Sequence, residues 1–283
     1  MPRTLQEILT ATPRDPAVVM GILNVTPDSF SDGGKYLDPQ SAADQARRMI
    51  DCGAEIIDIG AESTRPGSDS VPPDQQIQRI EHIAPAVIAT GAIVSIDTTS
   101  SAVAARAIAW GAEIINDVSA GRDDPEILTL AAQSEAAIVL MHMLGGPRTM
   151  QDNPVYADVL GEVKAFLAER IAAACAAGVD ESRIIIDPGI GFGKKLEHNL
   201  ALLGGVDDLG RLGRAILIGP SRKRFIGELG GSDKAEDRTG GTIAACLAAR
   251  AGGATVFRVH DVGPAVEALK VYDAVISNGA NIS

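Results

Sequence analysis

Residues 183–195 read R-I-I-I-D-P-G-I-G-F-G-K-K. Three consecutive isoleucines, Ile184, Ile185 and Ile186, make a strand that is apolar on both faces, as a parallel sheet covered by helices requires. The strand delivers a carboxylate, Asp187, and Pro188 then removes a backbone donor and ends regular pairing. Gly189, Gly191 and Gly193 let the chain turn sharply and approach a bound group closely. Barrels and doubly wound α/β folds build their sites in this way, at the C-terminal ends of buried strands. Neither familiar glycine motif is present. Pro188 stands where a phosphate-cradling loop needs glycine, and Lys194 stands where the dinucleotide fingerprint needs its third glycine. A single Asp-Pro-Gly is most simply a capped turn; the recurrence along the chain of a buried strand that ends on a polar residue points to a site.

Outward from this stretch the same unit repeats. Residues 18–25 (V-V-M-G-I-L-N-V), 56–59, 93–96, 114–115 and 137–141 read as buried strands upstream, and 215–218 and 255–259 downstream. Helical periodicity separates them over 39–52, 73–90, 101–110, 125–134, 156–177, 197–212, 235–251 and 262–276. Several of these helices stop at a glycine suited to a C-cap, at Gly53, Gly91, Gly111 and Gly178. Eight strands alternating with helices, and no hairpin signal, predict an α/β fold: a single-domain (β/α)8 TIM barrel over residues 18–278. Residues 1–17 form an N-terminal extension with a short amphipathic helix, and 279–283 a C-terminal tail.

Composition narrows the partners. A formal net charge of −12 argues against nucleic acid and anionic membrane, so positive charge for an anionic ligand must be concentrated locally. Apolar runs such as residues 136–141, and the longest at 171–177 and 243–249, are far too short to span a bilayer. The N-terminus lacks the apolar region of a signal peptide, so a cytoplasmic protein is expected. Cys52, Cys175 and Cys246 each lie in an alanine-rich helical stretch without close pairing, and read as small core or groove residues.

The polar residues at the strand ends carry the chemistry: Asn24, Asp58, Asp97, Asn116, His142, Asp187, Ser221 with Lys223, and Arg258 with His260. Each alone has a bland reading as a helix cap, a loop acceptor or a core histidine. One after every strand, converging on one barrel mouth, makes a site. Asp97, Asn116 and Asp187 suit the donor-rich edge of a flat heterocycle. Lys223, Arg258 and His260, with Arg65 nearby, form a cationic corner for phosphate or carboxylate. Asn24, backed by Asp28 and Asp32, offers hard oxygens for a Mg²⁺ bound mainly through substrate phosphates. No His/Cys cluster points to zinc, and no Ser-His-Asp pattern to acyl transfer.

These residues fall in motifs that resemble a known family. N-V-T-P-D-S-F-S-D-G-G (24–34), E-S-T-R-P-G (62–67), I-D-T (96–98), N-D (116–117), M-H-M (141–143), D-P-G-I-G-F-G-K (187–194), S-R-K (221–223) and R-V-H-D-V (258–262) are similar, in order, to those of the dihydropteroate synthases. The resemblance runs from residue 18 to 276. It implies condensation of 6-hydroxymethyl-7,8-dihydropterin pyrophosphate with p-aminobenzoate in folate synthesis, Mg²⁺-dependent and SN1-like, in a sulfonamide-sensitive homodimer.

The resemblance also implies site residues. It places the pterin on Asp97, Asn116, Asp187 and Lys223 with Met141 against the ring, and the pyrophosphate on Asn24, Thr64, Arg65, Arg258 and His260, with Asn24 on the metal. It places p-aminobenzoate on Phe30, Thr64, Pro66, Phe192, Ser221 and Arg224. Of these, Asn24, Asp97, Asp187, Lys223 and Arg258 are the expected catalytic set. The chain departs at Arg224, where many members carry serine. Two other readings share the barrel: the pterin-binding domain of a corrinoid methyltransferase, and a non-catalytic pterin-binding paralogue. The first has no reason to carry the loop 24–34 or the S-R-K of 221–223, and the second is expected to have lost Asn24, Arg65 or Lys223, all of which are present.

Overall fold

In the computed structural model, eight parallel strands close into a barrel in sequence order, β1 pairing with both β2 and β8. The structure describes residues 3–25, 38–62, 70–146 and 149–279. The strands are β1 (Val18–Asn24), β2 (Ile56–Gly60), β3 (Ile93–Asp97), β4 (Ile114–Asp117), β5 (Ala137–Met141), β6 (Ile184–Asp187), β7 (Ala215–Ile218) and β8 (Val256–Val259). Around them lie α2 (Pro39–Asp51), α3 (Pro73–Ile80), α4 (Ile83–Ile88), α5 (Ser101–Trp110), α6 (Glu126–Gln133) and α7 (Val159–Ala176). The ring continues with α8 (Leu196–Gly204), α9 (Val206–Gly210), α10 (Arg224–Gly230), α11 (Thr239–Ala251) and α12 (Val262–Gly279). A short α1 (Leu5–Leu9) precedes them all.

Two expected helices are broken, each for a local reason. The stretch 73–90 divides into α3 and α4 around Glu81 and His82. Pro85 cannot donate to the carbonyl four residues back, and its ring crowds that carbonyl, so one continuous helix is excluded there. The stretch 197–212 divides into α8 and α9 at Gly204-Gly205, where the second glycine leaves helical geometry at φ −110°. Gly111 caps α5 at φ 115°, the left-handed conformation that ends a helix without a Cβ clash.

The N-terminal segment belongs to the barrel's packing. Thr4 and Glu7 form a capping box that nucleates α1. Its Ile8 is fully buried, packed with Val18, Met20, Ile56, Ile114, Val139 and Leu217 from the barrel interior. Burying such a side chain is worth about 1.5–3 kcal/mol, so α1 closes the N-terminal end of the barrel. A second, larger cluster fills the layer between strands and helices. All three cysteines are free: Cys246 is buried in that layer, Cys175 half-buried, and Cys52 exposed at the end of α2.

Candidate active site

Side chains on a strand alternate between its two faces. The interior plug therefore fixes which residues point inward higher up. From Val18 and Met20 the inward series on β1 runs to Asn24; from Ile56 on β2 it runs to Asp58; from Ile114 on β4 to Asn116. From Ala137 and Val139 on β5 it reaches Met141, from Ile185 on β6 Asp187, and from Val256 on β8 Arg258. Register aligns Asp97 with Asn116 and Met141 with Asp187 on neighbouring strands. The expected pterin residues therefore share the C-terminal mouth.

Arg258 reaches across this mouth. Its Nε donates to Asp58 Oδ2 at 2.6 Å and its Nη2 to Asp97 Oδ2 at 2.7 Å. Asn116 Nδ2 donates to the same Asp58 Oδ2 at 3.2 Å. Burial pushes the Asp97 carboxyl up to about 7, with Asp58 and Glu62 adding to the rise and Arg258 and Lys223 opposing it. Burial also lifts Asp187 to about 6, against the hydrogen bond its Oδ1 accepts from Gly189 N–H at 2.6 Å. Lys223 falls to about 8 through burial and the nearby Arg258. Burial pulls on Arg258 too, but Asp58 and Asp97 outweigh it and leave the guanidinium more firmly protonated than usual.

The glycine-rich loop after β6 is shaped by close approach. A Cβ on Gly189 would lie 1.9 Å from the His142 carbonyl oxygen, and one on Gly191 2.9 Å from Lys223 Cδ. Both glycines have positive φ, 69° and 82°. The loop thereby sets the Phe192 ring 3.9 Å from Lys223 Nζ, a cation–π contact. Phe192 and Met141 belong to one buried apolar patch with Val118, Met143 and Met150. The residues expected for the pterin and for p-aminobenzoate thus meet at a shared wall.

The S-R-K motif divides its work. Ser221 is buried, with Oγ 2.9 Å from His260 Nδ1, and it accepts the His260 backbone N–H at 3.1 Å. The hydroxyl oxygen has two lone pairs and one proton, so this contact holds the imidazole with either nitrogen protonated. Arg222 sits at φ 59° and clamps Asp261 through both Nε and Nη2, at 3.1 and 2.6 Å. These bonds staple the loop after β7 to the loop after β8, leaving Lys223 to face the mouth. His260 is neutral: burial, with Arg222 and Arg258 beside it, drives its pKa to about 3. The expected cationic corner therefore consists of Lys223 and Arg258, with His260 supplying a neutral imidazole and no charge.

Other expected residues lie elsewhere. His142 leaves the mouth and packs edge-on against Phe166 in the helical layer, its Nδ1 2.9 Å from Lys194 Nζ. Arg224 is exposed and pairs with Glu228 one turn along α10, at 2.8 Å. Phe30, Thr64, Arg65 and Pro66, with Asp28 and Asp32, lie outside the described residues. Glu62, just before that second stretch, is fixed by Val71 N–H and Gln76 Nε2, both at 2.9 Å. Among the described residues no group of three or more His, Cys, Asp or Glu is placed to hold a metal. Asn24, at the end of β1, brings a side-chain carbonyl to the mouth, an oxygen that suits an ion held mainly by phosphates.

Comparison with known proteins places this geometry in a family. The pterin binding enzyme family matches residues 20–260. Dihydropteroate synthase of Neisseria meningitidis serogroup B is 47% identical over 266 residues, covering 92% of this chain and 93% of that protein. Xanthomonas albilineans dihydropteroate synthase, solved with 4-aminobenzoic acid, superposes with a TM-score of 0.87 at 45% identity, over 93% of this chain and 94% of the other. The Yersinia pestis synthase, solved with a sulfonamide drug, gives 0.88 at 38% identity, over 93% and 96%.

Proposed function

The chain belongs to the pterin binding enzyme family and, within it, to the dihydropteroate synthases, and from that premise we propose how its mouth carries out the condensation. The enzyme joins 6-hydroxymethyl-7,8-dihydropterin pyrophosphate to p-aminobenzoate, giving 7,8-dihydropteroate and pyrophosphate. The observation that carries the site assignment is the convergence of Asp97, Asn116 and Asp187 on the mouth that Lys223 and Arg258 also face.

Asp97, Asn116 and Asp187 accept from the donor-rich edge of the pterin, with Met141 against its ring. Arg258 and the neutral His260 imidazole meet the pyrophosphate, with Thr64 and Arg65. Cations and donors preorganised in a partly buried mouth stabilise the charge that grows as the pterin C–O bond breaks. The ring delocalises the resulting methylene cation, and the aniline nitrogen of p-aminobenzoate attacks it, forming the C–N bond. The proton then shed by that nitrogen is acidic enough to need no strong base. Phe192 packs beside p-aminobenzoate, with Phe30, Thr64 and Pro66 completing its pocket and Ser221 at its carboxylate end, while Arg224 stays engaged with Glu228. Asn24 would hold Mg²⁺ together with the substrate's phosphates, and the ion would supply further neutralisation of the leaving group.

Sulfonamides copy p-aminobenzoate, and the Yersinia pestis relative was solved with such a drug, so this chain is read as a sulfonamide target. A homodimer fits the apolar groove between α11 and α12, where Ile243, Leu247, Pro264, Ala268, Val271 and Val275 line the surface. Val271 and Val275 are more than half exposed there, an arrangement that a second copy would cover. No helix among the described residues is long and apolar enough to cross a membrane, which agrees with a cytoplasmic enzyme. Incubation with both substrates, with and without Mg²⁺, tests the reading by product chromatography. Dihydropteroate formed only with the ion supports it. No dihydropteroate under either condition overturns it.

A further inference from the structure

Asp58 lies one layer below the mouth, fully buried, and has no place in the substrate-contacting set above. Its Oδ2 nevertheless accepts from two members of that set, Arg258 at 2.6 Å and Asn116 at 3.2 Å, arriving from β8 and β4. A carboxylate paired with a guanidinium accepts hydrogen bonds and donates none. The atom of the Asn116 amide that faces it must therefore be nitrogen. With Nδ2 drawn down to Asp58, Oδ1 is turned up toward the mouth.

We propose that Asp58 is a positioning residue that sets the amide orientation of Asn116, so that the floor presents three acceptors, Asp97, Asn116 Oδ1 and Asp187, to one edge of the heterocycle. Specificity follows. A ring with an amino group at this edge satisfies all three, whereas a ring with a carbonyl there sets oxygen against oxygen. Asp58 Oδ1 has no partner, and neither has the Oγ of Ser95, which is in register with Asp58 on β3. This layer is thus held by the single shared Oδ2.

Asp58→Asn is the discriminating change, because an amide at 58 can pair with Asn116 in either orientation at nearly constant volume. The inference rests on the pterin-pocket reading, and the experiment separates the two. Calorimetry measures the affinities of 6-hydroxymethylpterin and of 6-hydroxymethyllumazine, its 2-oxo counterpart, for the wild type, Asp58→Asn and Ser95→Ala. The wild type is expected to prefer the pterin by roughly ten- to hundredfold, the effect of one mismatched buried acceptor. Asp58→Asn should shrink that preference about tenfold, and Ser95→Ala should leave it intact. A wild type that binds neither ring overturns the pocket assignment and the inference with it. A wild type that prefers the pterin, with a folded Asp58→Asn that keeps the same ratio, overturns the inference alone. Should the variant not fold, side-chain amide exchange in the free wild type decides by NMR. One slowly exchanging Asn116 Hδ2 proton supports the orientation, and exchange of both at the solvent rate overturns it.

Discussion

Asp97 exposes a conflict between binding and stability that Asp97→Asn makes measurable. The residue is 6% exposed and shares Arg258 with Asp58. Burial raises its pKa from 3.8 to about 7 despite that guanidinium. Its folded value thus lies above its unfolded value. The stability contribution of the protonated acid is complete below pH ~4 and is lost as pH rises to about 7. A gap of about three units corresponds to about 4 kcal/mol above pH 7. The variant removes that cost but weakens an acceptor for Arg258, at about 1–2 kcal/mol. Asp97→Asn should therefore be more stable than wild type by about 2–3 kcal/mol at pH 8, or very roughly 5–10 °C in Tm for a chain of this size. The advantage should fall by about 1.4 kcal/mol per pH unit below pH 7.

Differential scanning calorimetry from pH 5.5 to 8.5 reads this directly, and pterin titration should show binding weakened at least tenfold in the same variant. A Tm difference that is negative at pH 8, or positive but flat across the range, refutes the reasoning. Either result would mean that the charge on Asp97 is not what the buried mouth opposes.

Lys223→Ala should lower kcat/KM about 10- to 150-fold, the loss of a charged hydrogen bond of roughly 1.5–3 kcal/mol; wild-type steady-state kinetics would show that the assigned pocket is wrong. Asn24→Ala should impair Mg²⁺-dependent binding of the pterin pyrophosphate while sparing pterin itself, and equal weakening of both in calorimetry counts against that division. A sulfonamide should inhibit competitively with p-aminobenzoate, and Arg224→Ser should shift the p-aminobenzoate KM by less than about threefold, because an exposed i,i+4 pair is worth only a few tenths of a kcal/mol. Inhibition kinetics that are noncompetitive, or absent far above the p-aminobenzoate KM, sink that expectation. Val271→Glu should convert a dimer to monomer in light scattering, and an unchanged mass removes the α11–α12 face as the interface.

The strands and their polar ends were legible because both signals are local. Isoleucine-rich runs announce buried parallel strands, and a polar residue ending each run marks the mouth. Asp97, Asn116, Asp187, Lys223 and Arg258 follow from position alone. What was hidden depends on partners far away in sequence. Asp58 ends a run like its neighbours, but its hold on Arg258 spans 200 residues, and only alternation counted from the interior plug places it below the floor. His142 and Asp187 both look like strand ends. One more residue past β5 turns His142 into the helical layer, where it meets Lys194. The neutrality of His260 could not be read from its type, because it arises from burial beside Arg222 and Arg258. The break at Pro85 was readable in principle, since proline inside a helical run marks a boundary.

The expected separation of the mouth into a pterin half and a phosphate half does not survive at Arg258. A guanidinium has five N–H donors in a rigid fork. Its recorded bonds to Asp58 and Asp97 use Nε–H and one Nη2–H, leaving three donors for a ligand. Arg258 can therefore hold the pterin-side acids and meet a phosphate at the same time, which a lysine, as a single point charge on a flexible stem, could not do with fixed geometry. The acids benefit in return. A phosphate arriving next to Asp97 would by itself raise the cost of ionising it, and the cation between them offsets that repulsion. In a chain of net charge −12, one shared arginine would, under the proposed assignment, let an anionic pyrophosphate sit above a floor of carboxylates. On the proposed mechanism it would also tie loss of the leaving group to the ring that must carry the cation.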